Sequence, residues 1–196
     1  DKRRENIIIQ IGPESETFRS IIKTVAPAFD NNPRRVKQFI NLFRLRVFIA
    51  AETGLFDEEL NIRNNHPLTL EQVGKFATLE LRWPLFLSDI GGDINALVDL
   101  QKIAQGIPLK ASSSITKLWQ VRKDLMNFMK IGHPDSRATI KTTQSAWDLS
   151  AINLMKLLLV SPKMRDLKSF VPIKYEVIIA NPNLNEVIKP LRRWIE

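Results

Sequence analysis

Apolar side chains recur every three or four residues in most segments of this 196-residue chain, and this spacing constrains its fold more than any other feature. The longest such segment spans residues 33–53. Asn32 can cap a helix there, Pro33 suits the first helical position, and Gly54 suits the position after the last turn. We therefore predict a central helix over residues 33–53, with a basic, exposed first turn and a buried second half.

The same spacing predicts further helices, and Thr69 with Gln72 forms a capping box at the start of one of them. Two segments have a β-like composition instead. We interpret Ile7–Ile11 as a remnant strand of an upstream sheet or an extended lead-in, and Tyr175–Ile179 as a strand or an extended crossing. The resulting fold prediction is mainly α, a multi-helix bundle of about six to eight helices with at most one or two short strands. The other predicted helices cover residues 14–26, 69–83, 93–106, 115–131, 144–160, 164–170 and 183 onward.

The charge of the chain is unevenly distributed. The formal net charge is +8, and hydrophobic residues make up 44% of the chain, which is enough for a folded core. Residues 1–49 carry 10 basic against 5 acidic residues, residues 50–100 carry 3 against 9, and residues 101–196 carry 16 against 7. An acidic middle between basic ends predicts either internal complementarity or basic surfaces that face an acidic partner.

Two motifs carry a family resemblance. The first, Asn-Pro-Arg-Arg-Val-Lys-Gln-Phe-Ile-Asn, occupies residues 32–41, and the second, Leu-Glu-Gln-Val-Gly-Lys-Phe-Ala-Thr-Leu-Glu-Leu-Arg-Trp-Pro, occupies residues 70–84. In sequence, order and spacing they resemble the lid region of KAP-type P-loop NTPases, which are relatives of the AAA+ and STAND ATPases. In that class an arginine at the start of the lid helix senses the γ-phosphate of the nucleotide.

The resemblance implies a phosphate-sensing role for the basic residues at the start of the central helix. Arg34 is the first candidate because it follows the proline, and Arg35 and Lys37 are the others. The positive pole of a helix dipole at this end also favours an anion.

The chain departs from an intact NTPase of this family. It contains no Gly-x-x-x-x-Gly-Lys-Ser/Thr loop and no apolar run ending in paired acids. We therefore expect a non-catalytic region that follows an ATPase core in the same polypeptide, and a first residue that is not Met fits such a fragment. No cofactor is expected in this fragment, whereas ATP and Mg²⁺ are expected in the intact protein. By resemblance, such proteins are signalling or phage-exclusion ATPases, and copies of the chain are expected partners.

A linker at Ala111–Ser114 divides the chain into a lid-like helical domain over residues 1–109 and a basic helical extension over 110–196, unless the two pack as one unit. The extension would carry the partner or oligomer contacts. The absence of cysteine excludes disulfides, and no signal peptide is evident. The apolar runs, among them Leu157–Val160, are far too short to cross a bilayer. These features predict a cytoplasmic protein without a transmembrane segment.

The alternative function is an independent basic adaptor that binds nucleic acid or an acidic protein. Its candidate residues are Lys117, Arg122, Lys123 and Lys130. Trp119, Trp147 and Tyr175 are interleaved in the wider region as candidate stacking platforms, although Trp119 lies among apolar positions, which is more typical of a core residue. No helix-turn-helix or zinc signature accompanies them. Steep salt dependence of binding would distinguish this function from a lid.

Other chemistry finds little support in the sequence. His66 and His133 each stand beside a proline without neighbouring ligands, so neither a metal site nor a catalytic site is expected. Ser112–Ser114 lack a partner base. Glu80 lies in a mainly apolar helix, which predicts a partly buried, paired carboxylate that fixes helix packing.

Overall fold

The computed structural model describes residues 2–57, 67–91, 94–107 and 146–173. Within these ranges the chain forms seven α-helices and no strand, so the predicted mainly α, multi-helix fold is confirmed. Two 3₁₀ segments occupy Ala26–Phe29 and Leu167–Ile173. The helices are α1 (Lys2–Gln10), α2 (Glu16–Val25), α3 (Pro33–Glu52), α4 (Leu70–Arg82), α5 (Pro84–Asp89), α6 (Ala96–Ala104) and α7 (Ala146–Leu159).

Local signals in the sequence define the ends of the two central helices. Asn32 caps α3, and Gly54 follows its last turn with a φ of +69°, a left-handed conformation that glycine adopts without strain. Thr69 caps α4 through a complete capping box, since its hydroxyl accepts from the Gln72 amide and the Gln72 side chain accepts from the Thr69 amide.

The core is built around α3 and α4, which pack against each other, with α2 packed on α4. A chain of aromatic contacts runs along α3, because the rings of Phe18 and Phe29 pack on Phe43 and Phe39 with centroid distances of 6.2 and 5.8 Å. Gly74 lets α2 approach α4 closely, since a Cβ there would lie 2.8 Å from Cγ2 of Ile21.

The strand prediction for Ile7–Ile11 is wrong, because these residues belong to α1 and the turn that follows it. Ile7 and Ile11 are buried four residues apart, whereas Ile8 and Ile9 are 53% and 69% exposed. This is the spacing of one helical face, while a strand would bury alternate residues. A strand would also need a partner for its backbone groups, and the described residues provide none.

Residues 146–173 share the core of the first 107 residues. Helix α7 packs on α6 and on the 3₁₀ segment at Ala26–Phe29, and Phe170 stacks on Phe76 with a centroid distance of 4.6 Å. The predicted domain boundary at residues 109 and 110, the helix at 115–131 and the strand at 175–179 lie outside the described residues.

Candidate functional site

Arg34, Arg35 and Lys37 lie on the first turns of α3, as the sequence predicts, and we call them the cationic entry. All three are exposed. Among the described residues, none of their side chains makes a hydrogen bond or an ion pair. The first turn of the helix contains no acidic residue either. Within the described ranges, three positive charges are therefore left without a side-chain partner.

The backbone amides at this end of α3 are already used. The Asn32 side-chain oxygen accepts from the amides of Arg34 and Arg35 at 3.0 and 3.3 Å. The Val36 amide donates to the Asn32 carbonyl at 3.0 Å, and Pro33 has no N–H group. An anion would consequently be bound by the side chains of the cationic entry, and not by a cradle of helix amides.

The chain enters α3 through a tight turn, residues 26–32, which we call the entry turn. Asp30 and Asn31 adopt left-handed φ values of 55° and 54°. The Asp30 amide donates to the Pro27 carbonyl, and the Asn31 amide donates to the Ala26 carbonyl. Asp and Asn tolerate this conformation better than other residues with a side chain, so the sequence suits the turn.

The side chain of Arg82, in the last turn of α4, contacts the entry turn. Its Nε donates to the Ala28 carbonyl at 3.0 Å, and its Nη2 lies 3.9 Å from the Asp30 carboxylate. Arg82 belongs to the second sequence motif, and the entry turn leads directly into the first. The structure thus places Arg82 of the second motif against the turn that leads into the first.

Glu80, two residues before Arg82 in α4, forms the paired charge predicted for it. Its two carboxylate oxygens accept from Nε and Nη2 of Arg46, each at 3.0 Å. Arg46 is only 2% exposed, and its Nη1 also donates to the Ile173 carbonyl. The sequence did not identify Arg46, although a cation within the apolar half of α3 is a signal that an acidic partner exists.

Lys75 is a buried cation that the sequence did not identify. It is 1% exposed, and its Nζ donates to the carbonyls of Val160 and Pro162 at 2.6 and 2.9 Å. No carboxylate of the described residues lies within ion-pair distance of it. Burial therefore lowers the pKa of Lys75 to about 8. The carbonyl bonds make Lys75 a link between α4 and the segment after α7.

Two glutamines bind the same segment. The Gln72 amide nitrogen donates to the Lys163 carbonyl at 2.7 Å. Gln101 donates to the Met164 carbonyl at 2.9 Å and accepts from the Met164 amide at 2.8 Å. The polar side chains of α4 and α6 thus satisfy the backbone of residues 160–164, which is a structural role.

A cleft of about 700 Å³ lies at the opposite end of α3 from the cationic entry. Its described polar lining includes Asp57 and Glu71 and no basic residue. A phosphate would find no positive charge among these groups, so the cleft is a poorer candidate for an anion than the cationic entry. The other described lining residues are Asn6, Ile7, Gln10, Thr17, Ala51, Phe56, Leu68, Thr69 and Leu70.

Several predicted residues cannot be placed in the site. Lys117, Arg122, Lys123 and Lys130 lie outside the described residues, as do both histidines. In the part of the chain that the structure describes, no three His, Cys, Asp or Glu side chains are grouped to hold a metal ion. No described helix has the length and apolar content that crossing a membrane requires.

Comparison of the chain with protein-family models, with curated proteins and with solved structures gave no match. The likeness to a KAP-type lid therefore rests on the residues of the two motifs at 32–41 and 70–84.

Proposed function

We propose that this chain is a regulatory helical region of a larger cytoplasmic P-loop ATPase, and that it senses nucleotide phosphates through Arg34, with Arg35 and Lys37. The observation that carries the proposal is the cationic entry itself, three exposed cations on one helix start without a partner among the described residues. Catalysis and Mg²⁺ binding would belong to the ATPase core.

The spacing within the cationic entry favours one pair of side chains for a single phosphate group. Arg34 and Lys37 are three residues apart, so they lie on the same helix face with Cβ atoms about 5–6 Å apart. Arg35 is rotated by about 100° from Arg34 around the helix axis. Arg34 and Lys37 would contact the terminal phosphate together, while Arg35 would contact a neighbouring phosphate or the rim of the core.

Arginine and lysine would contribute differently to this contact. The guanidinium of Arg34 can donate two parallel hydrogen bonds to a phosphate, whereas the ammonium of Lys37 acts as a compact point charge. Loss of the γ-phosphate removes both charge and acceptor oxygens from the site. The contact would therefore be stronger with a triphosphate than with a diphosphate, which is the difference that a sensor requires.

A relay toward the C-terminal region would follow α3. Arg46 lies twelve residues after Arg34, about 18 Å along the helix axis. It binds both Glu80 of α4 and the Ile173 carbonyl, at the end of the described chain segment. A shift of α3 caused by phosphate contact would therefore also move the bonds at Ile173, and through them the predicted partner and oligomer contacts of residues 110–196.

The proposal is tested on the chain itself by titration with ATP, ADP and AMP at low salt, followed by amide chemical shifts. We expect shift changes at Arg34, Arg35 and Lys37, and affinity that falls from ATP to AMP. Arg34→Ala should weaken ATP binding by about fivefold or more. Lys23→Ala is the control, because Lys23 is an exposed cation of α2 whose loss changes the net charge equally.

Equal ATP affinity of Arg34→Ala and Lys23→Ala would contradict a specific role for Arg34. Retention of either variant on duplex DNA at wild-type strength, with steep salt dependence, would instead favour the basic adaptor and its residues Lys117, Arg122, Lys123 and Lys130.

A further inference from the structure

We infer that Arg82 and Asn153 are positioning residues for the cationic entry, each holding the entry turn in the conformation that aims Arg34 at the phosphate. The inference rests on the proposed function, and it adds two residues from different helices that touch the turn and not the ligand. Arg82 lies in α4 and Asn153 in α7, so two different helices contact the turn that leads into α3.

The contact from α4 is made with the backbone. Arg82 Nε donates to the Ala28 carbonyl, five residues before the first residue of α3, and the Asp30 carboxylate lies 3.9 Å from Nη2 of the same guanidinium. The Arg82 side chain is partly buried, and its guanidinium also lies 5.8 Å from the centre of the Trp83 ring. A guanidinium with three contacts has little conformational freedom, so it restricts the conformation of the turn.

The contact from α7 is made with the neighbouring carbonyl. The side-chain amide of Asn153 donates to the Pro27 carbonyl at 3.1 Å. Trp83 Nε1 donates to the Ser150 hydroxyl at 2.8 Å, one helical turn earlier in α7. Arg82 of α4, the following residue Trp83, and Ser150 and Asn153 of α7 therefore connect these two helices to each other and to the entry turn.

The entry turn needs such support because of its own conformation. Asp30 and Asn31 both have left-handed backbone conformations, which residues other than glycine adopt at an energetic cost. Only two residues separate Asp30 from the first helical residue, Pro33. A change in the turn therefore rotates the first turn of α3 and moves the Arg34 guanidinium, which lies at the end of a long side chain.

This arrangement also assigns a regulatory route. A partner that displaced α7 would withdraw Asn153 from the Pro27 carbonyl and loosen the entry turn without touching the phosphate. Helix α7 would thus lower the phosphate affinity of the cationic entry when it moves, and the coupling would act equally in the reverse direction.

The test compares Arg82→Gln and Asn153→Ala with Arg19→Gln in the complete 196-residue chain. Arg19 is a matched control, because its Nε donates to the Pro13 carbonyl and its Nη2 pairs with Glu14, far along α2 from the entry turn. Two quantities are measured for each variant: the affinity for inorganic tripolyphosphate, and the hydrogen exchange rates of the Asn31 and Asn32 amides.

We expect Arg82→Gln to lower tripolyphosphate affinity by about fivefold and to raise amide exchange in the entry turn by a similar factor. Asn153→Ala should produce the same two changes at smaller size, and it keeps the test decisive if Arg82→Gln fails to fold. Arg19→Gln should change the affinity by less than about twofold, with exchange in the turn at the wild-type rate.

A double variant, Arg82→Gln with Asp30→Asn, separates positioning from charge. This variant restores the local net charge but not the bond from Arg82 to the Ala28 carbonyl. If Arg82 acts by positioning the turn, the tripolyphosphate affinity of the double variant should stay as low as that of Arg82→Gln. Recovery of wild-type affinity would overturn the inference.

Failure of the inference and failure of the proposed function give different results. If the wild-type chain does not bind tripolyphosphate, both the inference and the proposed function are wrong. A wild-type chain that binds, together with Arg82→Gln and Asn153→Ala variants that match Arg19→Gln, overturns the positioning roles and leaves the proposed function intact.

Discussion

Arg46 of α3 and Glu80 of α4 form a two-bond ion pair in the interior of the molecule, with both N···O distances at 3.0 Å. The pair joins the helix that carries the cationic entry to the helix that carries Arg82. Arg46 also binds the Ile173 carbonyl, so one guanidinium connects three segments that are far apart in the sequence. The stability of the helical core should therefore depend on this pair more than on any exposed ion pair.

Removing one partner of the Arg46–Glu80 pair should destabilise the fold strongly. We expect Arg46→Met to lower the free energy of unfolding by about 3–5 kcal/mol, because the partly buried carboxylate of Glu80 loses both hydrogen bonds from this guanidinium. Urea unfolding measures this change. Arg46→Met combined with Glu80→Met should cost less than the sum of the two single variants.

The exposed pair between Arg19 and Glu14 serves as the control for that experiment. Its removal by Arg19→Gln should change the free energy of unfolding by less than about 1 kcal/mol. Equal losses for the buried and the exposed pair would show that Arg46 does not carry the role assigned to it.

The stability should rise with pH in the range where Lys75 titrates. Burial lowers the pKa of Lys75 from 10.5 to about 8 in the folded state, so between these values the unfolded chain binds more protons than the folded chain. The penalty of a buried ammonium is fully present below about pH 8 and is lost progressively as the pH rises from 8 to 10.5. Between pH 7.5 and 10 we expect this group to add about 2 kcal/mol to the free energy of unfolding.

The measurement compares wild type with Lys75→Met by urea unfolding at both pH values, since all other titrating groups are common to the two proteins. As the pH rises, wild type should gain free energy of unfolding relative to Lys75→Met. Lys102→Met is the matched control, because Lys102 is an exposed lysine paired with Asp99. Parallel pH dependence of wild type and Lys75→Met would refute the assignment.

Gly74 should tolerate no side chain at the contact of α2 with α4. A Cβ at this position would lie 2.8 Å from Cγ2 of Ile21, a branched methyl that cannot move away without repacking. We expect Gly74→Ala to lower the free energy of unfolding by about 1–2 kcal/mol, even though alanine favours a helix interior. The loss should be smaller in an Ile21→Ala background, and an equal loss in both backgrounds would rule out this contact as the cause.

The elements that could be predicted from the sequence are those whose signals are local. Asn32, Pro33 and Gly54 lie within or next to α3, and Thr69 and Gln72 lie at the start of α4, so short-range chemistry determined those boundaries. The cationic entry was predictable for the same reason.

The features that could not be predicted depend on distant contacts. The Ile7–Ile11 run suits a strand or a helix, and burial of one face against the core selected the helix. The need of Arg46 for an acid was foreseeable, but not which acid, since Glu80 lies 34 positions away. Lys75 binds two backbone carbonyls. Because every residue has such a carbonyl, the sequence could not indicate which residues Lys75 binds.

The most direct test of phosphate sensing is ATP hydrolysis by the product of the complete reading frame that contains this chain. We expect that product to hydrolyse ATP, and Arg34→Ala to lower its turnover by at least about tenfold while circular dichroism stays unchanged. Lys23→Ala should retain wild-type turnover. A product that does not hydrolyse ATP, or an Arg34→Ala variant that turns over at the wild-type rate, would contradict the account.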